Sequence, residues 1–190
     1  MRDFCTVAGN SRQLLGGNMP GIVVVGSQWG DEGKGKVVDV FSAQSDYVVR
    51  YQGGANAGHT LKVDGKETIL HLVPSGVLQP NTTCIIGTGV VLDVAVVALE
   101  IRALKANGLL KDNSQLLISD SCTVILDFHR YLDKAREKAA GNEKIGTTGK
   151  GIGPAYEARA SRKAVLFGDL FNTETLREKL KPPLKSPIIY

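Results

Sequence analysis

A three-layer α/β fold is predicted, with a mostly parallel sheet and helices on both faces. Three observations carry that reading. Short apolar runs rich in valine and isoleucine alternate with stretches whose apolar residues recur at helical spacing. The first run, 22–25, passes directly into a glycine- and lysine-rich turn and then a helix-like segment. A strand, such a turn and a helix N-terminus together make an anion site, because backbone N–H groups and the helix dipole both favour negative charge there. Finally, 190 residues with 43% hydrophobic content give room for one domain with a real core.

The elements follow in order. Residues 1–19 are expected to form a disordered extension: they lack the continuous apolar core of a secretory signal, and Met19 stands as an alternative start. Arg2 and Arg12, with few acids nearby, leave a transit-peptide reading open. The α/β domain is placed at 20–181. It opens with strand 22–25 and helix 37–43, then strand 47–51 leading into Gly53-Gly54-Ala55-Asn56-Ala57-Gly58-His59. Strands 61–63 and 68–72 flank Asp64-Gly65, a strong hairpin signal. A short strand 84–86 is expected to end at Gly87. Val94, Val97, Ala98, Ile101 and Leu104 then mark a helix, with Gly108 as its stop. Strand 116–118 follows, then a second amphipathic helix carrying Phe128, Tyr131, Leu132, Ala135 and Ala139. A last helix is read at 175–181, with Thr175 and Glu178 at capping-box spacing. Pro182, Pro183 and Pro187 make 182–190 a tail, since proline cannot continue a helix.

Composition narrows the function classes. A net charge of +4 suits a polyanionic small ligand or an ordinary basic surface, and no lysine/arginine block or aromatic ladder points to nucleic acid. No apolar run approaches a membrane span. Cys5, Cys84 and Cys122 are odd in number and form no C-x-x-C pair, which argues for a reducing compartment and against a disulfide framework or zinc site. A cytoplasmic protein is expected.

The turn carries the chemistry. Gly30-x4-Gly35-Lys36 nearly fits the phosphate-loop pattern, so the layered fold is placed as P-loop NTPase-like, but Val37 stands where Ser or Thr would hold magnesium. A hard oxygen donor must then come from elsewhere, and Asp31 inside the loop is the obvious one. Asp31 could instead cap the following helix, and Lys34 and Lys36 could be solvated. His59 sits in a small-residue loop without apolar periodicity, which favours a functional role; His71, in an apolar strand, and His129, on a helix, are read as structural. Residues 146–153 alone read as a flexible linker, Arg162 alone as an ordinary surface charge, and Trp29 as a packing anchor.

Four motifs in a fixed order sharpen this. Gln28-Trp29-Gly30-Asp31-Glu32-Gly33-Lys34-Gly35-Lys36 resembles the N-terminal signature of the adenylosuccinate synthetase family. Asn56-Ala57-Gly58-His59-Thr60, Ile145-Gly146-Thr147-Thr148-Gly149, and Gly151-Ile152-Gly153-Pro154-Ala155-Tyr156 with Arg162 are similar to its next three motifs. The resemblance implies a GTP-dependent ligase that joins IMP and L-aspartate into adenylosuccinate through 6-phosphoryl-IMP, the committed step from IMP toward AMP. It assigns catalysis to Asp31, His59 and Lys34. GTP would be held by Gly30, Asp31, Glu32, Gly33, Lys34, Gly35, Lys36, Gly58, His59 and Thr60. IMP would be held by Asp31, Glu32, Gly33, Lys34, Asn56, Ala57, Gly58, His59, Thr148 and Arg162. One Mg²⁺ per subunit would rest on Asp31 and the carbonyl of Gly58, and the family precedent is a homodimer in which Arg162 reaches the partner's IMP site.

Departures are part of the reading. The family pattern leads one to expect lysine at Arg159 and arginine at Lys150, and Ala55 occupies a variable position. Lysine and arginine keep the charge but differ in geometry, which bears on how IMP is positioned. The resemblance runs from about 21 to 180, whereas family members are more than twice as long, and their guanine-recognition and aspartate loops lie beyond that stretch. A truncated chain with impaired turnover is therefore expected. The alternatives are a non-catalytic phosphate- or IMP-binding fragment and a module that docks on a full-length homologue. A general phosphate-loop NTPase is disfavoured by Val37 and by the 56–59 motif.

Overall fold

The computed structural model describes residues 5–9, 21–26, 34–56, 58–63, 66–141 and 146–181, with the backbone alone at 5–9, 59, 61–63 and 66–68. Among the described residues eight strands and five α-helices follow one another: β1 (Cys5–Gly9), β2 (Ile22–Gly26), α1 (Lys34–Ser42), β3 (Tyr47–Gly53), β4 (His59–Val63), β5 (Lys66–Leu70), β6 (Thr83–Leu92), α2 (Val94–Ala106), β7 (Leu116–Ile118), β8 (Thr123–Val124), α3 (Asp127–Ala139), α4 (Ile152–Ala160) and α5 (Thr173–Leu180). The main sheet has the order β3-β6-β7, all parallel, and β8 adds a parallel pairing to the end of β6. Two antiparallel pairs lie apart from it, β1 with β2 and β4 with β5. The fold class is thus the α/β class read from the sequence, built on a parallel sheet.

Strand β6 shows why helices lie on both of its faces. Side chains alternate along a strand, and here Cys84, Ile86, Val90 and Leu92 join the core that contains Val97 and Leu104 of α2. Val91, pointing the other way, packs with Ile125 and with Ala155, Ile152 and Tyr156 of α4. At the opposite end of the strand the second face is less covered among the described residues: the cross-strand row Val49–Ile85–Leu117 leaves Val49 50% and Leu117 49% exposed, with Tyr47 and Tyr51 beside it.

Several elements differ from expectation, each for a local reason. The 5–9 stretch, assigned to a disordered extension, pairs as β1 with β2 in a register from Cys5↔Gly26 to Gly9↔Ile22. Helix α1 begins three residues earlier than read, inside the lysine turn. Strand β6 does not stop at Gly87. A Cβ there would lie 3.3 Å from the carbonyl oxygen of Arg50, and one at Gly89 would strike the carbonyl oxygen of Tyr51. Both glycines therefore let β3 approach closely at its register shift between Arg50 and Gln52, rather than ending the strand. Helix α4 was hidden behind Gly151-Ile152-Gly153-Pro154, which reads as a breaker. Pro154 lies in the first turn, where its missing N–H costs little. Helix α5 starts at Thr173, and its cap is Asn172, whose side chain accepts from the N–H groups of Glu174 and Thr175 at 3.1 Å; Thr175 is not the cap. The tail 182–190, Trp29 and the Asp64-Gly65 turn lie outside the described residues.

Candidate functional site

The N-terminus of α1 opens on a cavity of about 500 Å³. Its walls come from the end of β2 (Val24 to Gly26), the start of α1 (Lys34, Gly35, Val38), β3 (Val48 to Gly53), the segment after β5 (Val73, Pro74, Ser75) and Tyr156 of α4. The walls are largely apolar, with Lys34, Arg50, Ser75 and Tyr156 supplying charge and hydrogen-bonding groups, which is the usual make-up of a small-molecule site. The first turn of α1 contains Lys34 and Lys36 and no acid. Lysines there oppose the helix dipole, which favours anions at that end. A bound polyanion would reverse the sign of that penalty.

A second cluster borders this cavity. Gly53, at φ 94°, and buried Gly54 turn the chain out of β3. A Cβ on Gly54 would strike Ile152 of α4 and meet Val91 at 2.9 Å, so only glycine fits. Arg50 donates through Nη2 to the carbonyl of Gly54 at 2.7 Å, and Lys150 Nζ donates to the carbonyl of Ala55 at 2.7 Å. Asn56 is exposed at the turn, and Gly58 is exposed with the His71 ring behind it. His59 and Thr60 begin β4, opposite Leu70 and Ile69 of β5.

The third and fourth motifs meet through α3 and α4. Gly151, at φ 78°, donates its N–H to Asp133 Oδ2 at 2.8 Å; a Cβ there would lie 2.9 Å from the backbone of His129 and Arg130. Thr148 is exposed on the segment before it. At the far end of α4 the chain leaves by a Schellman turn: Lys163 N–H reaches Ala158 O and Arg162 N–H reaches Arg159 O. Glycine usually fills the left-handed position of that motif, yet Arg162 sits there at φ 59°, exposed. A non-glycine residue at such a dihedral costs on the order of 1 kcal/mol, and observed strain of this kind is a pointer to function. Arg159 donates to the carbonyl of Ser121 at 2.8 Å, a packing role that arginine fills here.

Of the residues read as a site, Lys34 and Gly35 line the cavity; Lys36 lies on the first turn of α1, exposed. Asn56, Gly58, Thr60, Thr148 and Arg162 stand on loops or element ends away from its walls, and His59 is placed by its backbone. Gly30, Asp31, Glu32, Gly33 and Ala57 lie outside the described residues. Among the described residues no group of three or more His, Cys, Asp or Glu side chains could hold a metal. Magnesium is commonly held otherwise, by one or two protein oxygens with phosphate and water filling its sphere, and Gly58 is exposed. Among the described residues no helix is long and apolar enough to cross a membrane.

Sequence reading passed over Arg50, Glu100 and Tyr156. A signal existed for Glu100. It falls three residues after Val97 and four before Leu104, on the apolar stripe of α2, and it is 7% exposed. A carboxylate on such a stripe requires partners. Tyr156 gave none beyond its place in the fourth motif, because its partners Gly53 and Gly89 are distant in sequence; Arg50, whose partner Gly54 lies close in sequence, gave none within its apolar strand.

The model of the family described as adenylosuccinate synthetase matches residues 23–187. The chain is 64% identical to the adenylosuccinate synthetase of Bdellovibrio bacteriovorus over 163 residues, which cover 86% of this chain and 38% of that one. It is 55% identical to that of Myxococcus xanthus over 170 residues, covering 90% and 39%. In structure it is similar to fully ligated adenylosuccinate synthetase from Plasmodium falciparum, with a TM-score of 0.71, 41% identity, and coverage of 80% of this chain and 35% of that one. It is also similar to the succinoaminodeoxyadenylate synthetase of cyanophage S-2L, bound to dGMP and to dATP as energy donor, with a TM-score of 0.60, 28% identity and coverage of 80% and 41%. The chain thus spans less than half the length of the relatives it matches.

Proposed function

The chain belongs to the adenylosuccinate synthetase family, and from that premise we propose that it is the phosphate- and IMP-handling part of a GTP-dependent ligase that makes adenylosuccinate from IMP and L-aspartate. The observation that carries this is the lysine-bearing N-terminus of α1 facing the cavity, within a family match that runs through all four motifs. Lys34, Gly35 and Lys36 bind phosphate oxygens through the helix N-terminus and two ammonium groups. Asp31 takes the proton from N1 of IMP, so that the 6-oxygen attacks the γ-phosphorus and GDP leaves. His59 donates to the phosphoryl group as charge builds on its oxygens. The amine of aspartate then displaces phosphate from C6, losing a proton and leaving adenylosuccinate. Asp31 and the Gly58 carbonyl would hold magnesium, which would supply charge neutralisation for the triphosphate. Gly30, Glu32, Gly33 and Thr60 complete the nucleotide contacts, and Asn56, Ala57 and Thr148 those to IMP. Arg162 reaches a second subunit's IMP, a reading its exposure on a left-handed turn supports.

Thermal unfolding with and without IMP plus Mg²⁺·GTP tests the reading. A ligand that binds only the folded state adds about 2.7 kcal/mol at a hundred times its dissociation constant. The expected result is a midpoint that rises with both ligands and loses the rise in Asp31→Asn and His59→Ala. A transition indifferent to ligand in the unaltered chain sinks it. A rise that survives Asp31→Asn, with no phosphate released, marks a binding fragment instead.

A second reading rests on the open sheet face around Val49, Ile85 and Leu117. There the chain docks onto a full-length homologue. Sedimentation of an equimolar mixture, with Val49→Lys as the disrupting variant, decides it: one co-sedimenting species for the unaltered chain and two separate ones for the variant.

A further inference from the structure

Glu100 stands behind the Gly58 end of the 54–58 segment. Its two carboxylate oxygens accept three successive backbone N–H groups, from His71 at 2.8 Å, Leu72 at 3.1 Å and Val73 at 2.9 Å. That arrangement fixes the turn leaving β5, and with it the ring of His71, whose Cε1 lies 2.9 Å and Nδ1 3.2 Å from where a Cβ on Gly58 would be. The ring therefore bears on the backbone of Gly58. At the other end, Arg50 holds the Gly54 carbonyl at 2.7 Å. Burial pulls the Arg50 pKa down, and the charge of Glu100 acts against that pull. An apolar side chain would fill the α2 stripe as well as Glu100 does. What it could not do is collect three amides.

We propose that Glu100 is a positioning residue for the 54–59 segment, setting where the Gly58 carbonyl and His59 stand relative to the cavity. It acts through the 71–73 turn and the His71 ring. What the segment is positioned for rests on the proposed function; the clamp itself does not.

Amide hydrogen exchange on the 190-residue chain tests the clamp directly, and Mg²⁺ titration in the presence of GTP tests its consequence. Glu100→Gln places an NH₂ against backbone donors, so exchange at 71–73 and at 58–60 is expected to accelerate beyond any general loss of protection. Leu104→Ala, on the same helix but away from the turn, calibrates that general loss. His71→Ala leaves the Glu100 bonds in place and should accelerate 58–60 alone; it carries the test if Glu100→Gln does not fold. Glu100→Asp, which keeps the charge, should restore part of the protection. Mg²⁺ affinity is expected to fall roughly 10- to 100-fold in Glu100→Gln and His71→Ala, the range seen when groups behind metal ligands are removed, and not in Leu104→Ala. Unchanged exchange at 58–60 in either variant, relative to Leu104→Ala, overturns the proposal. Failure of the unaltered chain to take up Mg²⁺·GTP sinks the proposed function, while the exchange comparison still decides the clamp.

Discussion

Tyr156 and Gly53 are joined across the whole domain: the N–H of Gly53, at the end of β3, donates to the hydroxyl of Tyr156 on α4 at 2.9 Å. The same hydroxyl donates onward to the carbonyl of Gly89 on β6 at 2.7 Å. One phenol thus pins the exit of β3 to its neighbour strand where the chain turns toward Asn56. Tyr156→Phe keeps the ring packing and leaves a part-buried N–H and C=O without that partner. A loss of about 1–3 kcal/mol is expected in urea unfolding, with an unchanged m-value.

Gly151 is held by both dihedral and space. Gly151→Ala must adopt φ 78° and push its Cβ into the backbone of α3. Gly108→Ala meets the dihedral demand alone, because nothing lies within 4 Å of its Cβ position. Equilibrium unfolding should show Gly108→Ala costing on the order of 1 kcal/mol and Gly151→Ala costing more by about 1–3 kcal/mol of overpacking. Equal losses would mean that the α3–α4 approach yields easily.

Arg162 occupies a position where glycine is the unstrained choice. Arg162→Gly is expected to raise stability by up to ~1 kcal/mol, measured by thermal melt, as the left-handed penalty disappears against the entropy of an added glycine. The same variant should lose response to IMP. Gain in stability with loss of ligand response is the signature of strain kept for function.

His129 is 1% exposed, and burial holds its pKa below the ordinary imidazole range. Its Nδ1 accepts the N–H of Leu126 at 3.0 Å, so the neutral ring is the form that fits the start of α3. The folded state takes up the proton less readily than the unfolded chain, so stability rises with pH across this group. It is intact above the ordinary imidazole range and is lost as the pH falls from there through the depressed folded value. Unfolding free energies measured between pH 8 and pH 5 (about the span in which histidine titrates) should decline for the unaltered chain and flatten for His129→Asn.

Cys84 is fully buried and its thiol is pushed up to about 12 by burial. Burial also raises Cys122, against the lowering influence of Arg159 and of the Ser119 backbone. The thiolate is the reactive form. Neither residue should be alkylated in the folded chain at mildly alkaline pH, and both should be labelled once urea unfolds it, as peptide mapping by mass would read. Rapid labelling of Cys84 without denaturant would show that β6 opens locally.

Elements whose signal is local were legible in the sequence: α2 and α3 from apolar periodicity, the β4–β5 pair from the Asp64-Gly65 dipeptide between its strands, β7 from its apolar run. Those set by distant partners were not. Gly87 and Gly89 look like the end of a strand until β3 is laid beside them. The helix α4 is disguised by Gly153 and Pro154 at its start, although Ala155, Glu157, Ala158 and Arg159 all favour helix. At the candidate site, the lysine-bearing start of α1 was legible because Lys34, Gly35 and Lys36 are contiguous. Tyr156 acts through contacts with Gly53 and Gly89, distant in sequence, which no spacing in the chain records; Glu100 shows only as a carboxylate on an apolar stripe, and its partners at 71–73 are distant too.

Strand β6 has a consequence for how this chain reaches its folded state. It pairs with β3, β7 and β8, always in parallel, and each partner is separated from it by at least one intervening element. Parallel neighbours cannot be joined by a tight hairpin, so no pairing within this sheet has a short loop to close first. The entropy of long loops must be spent before any of the three seams gives stability in return. The sheet therefore condenses late and together, around a strand that by itself has nothing to pair with.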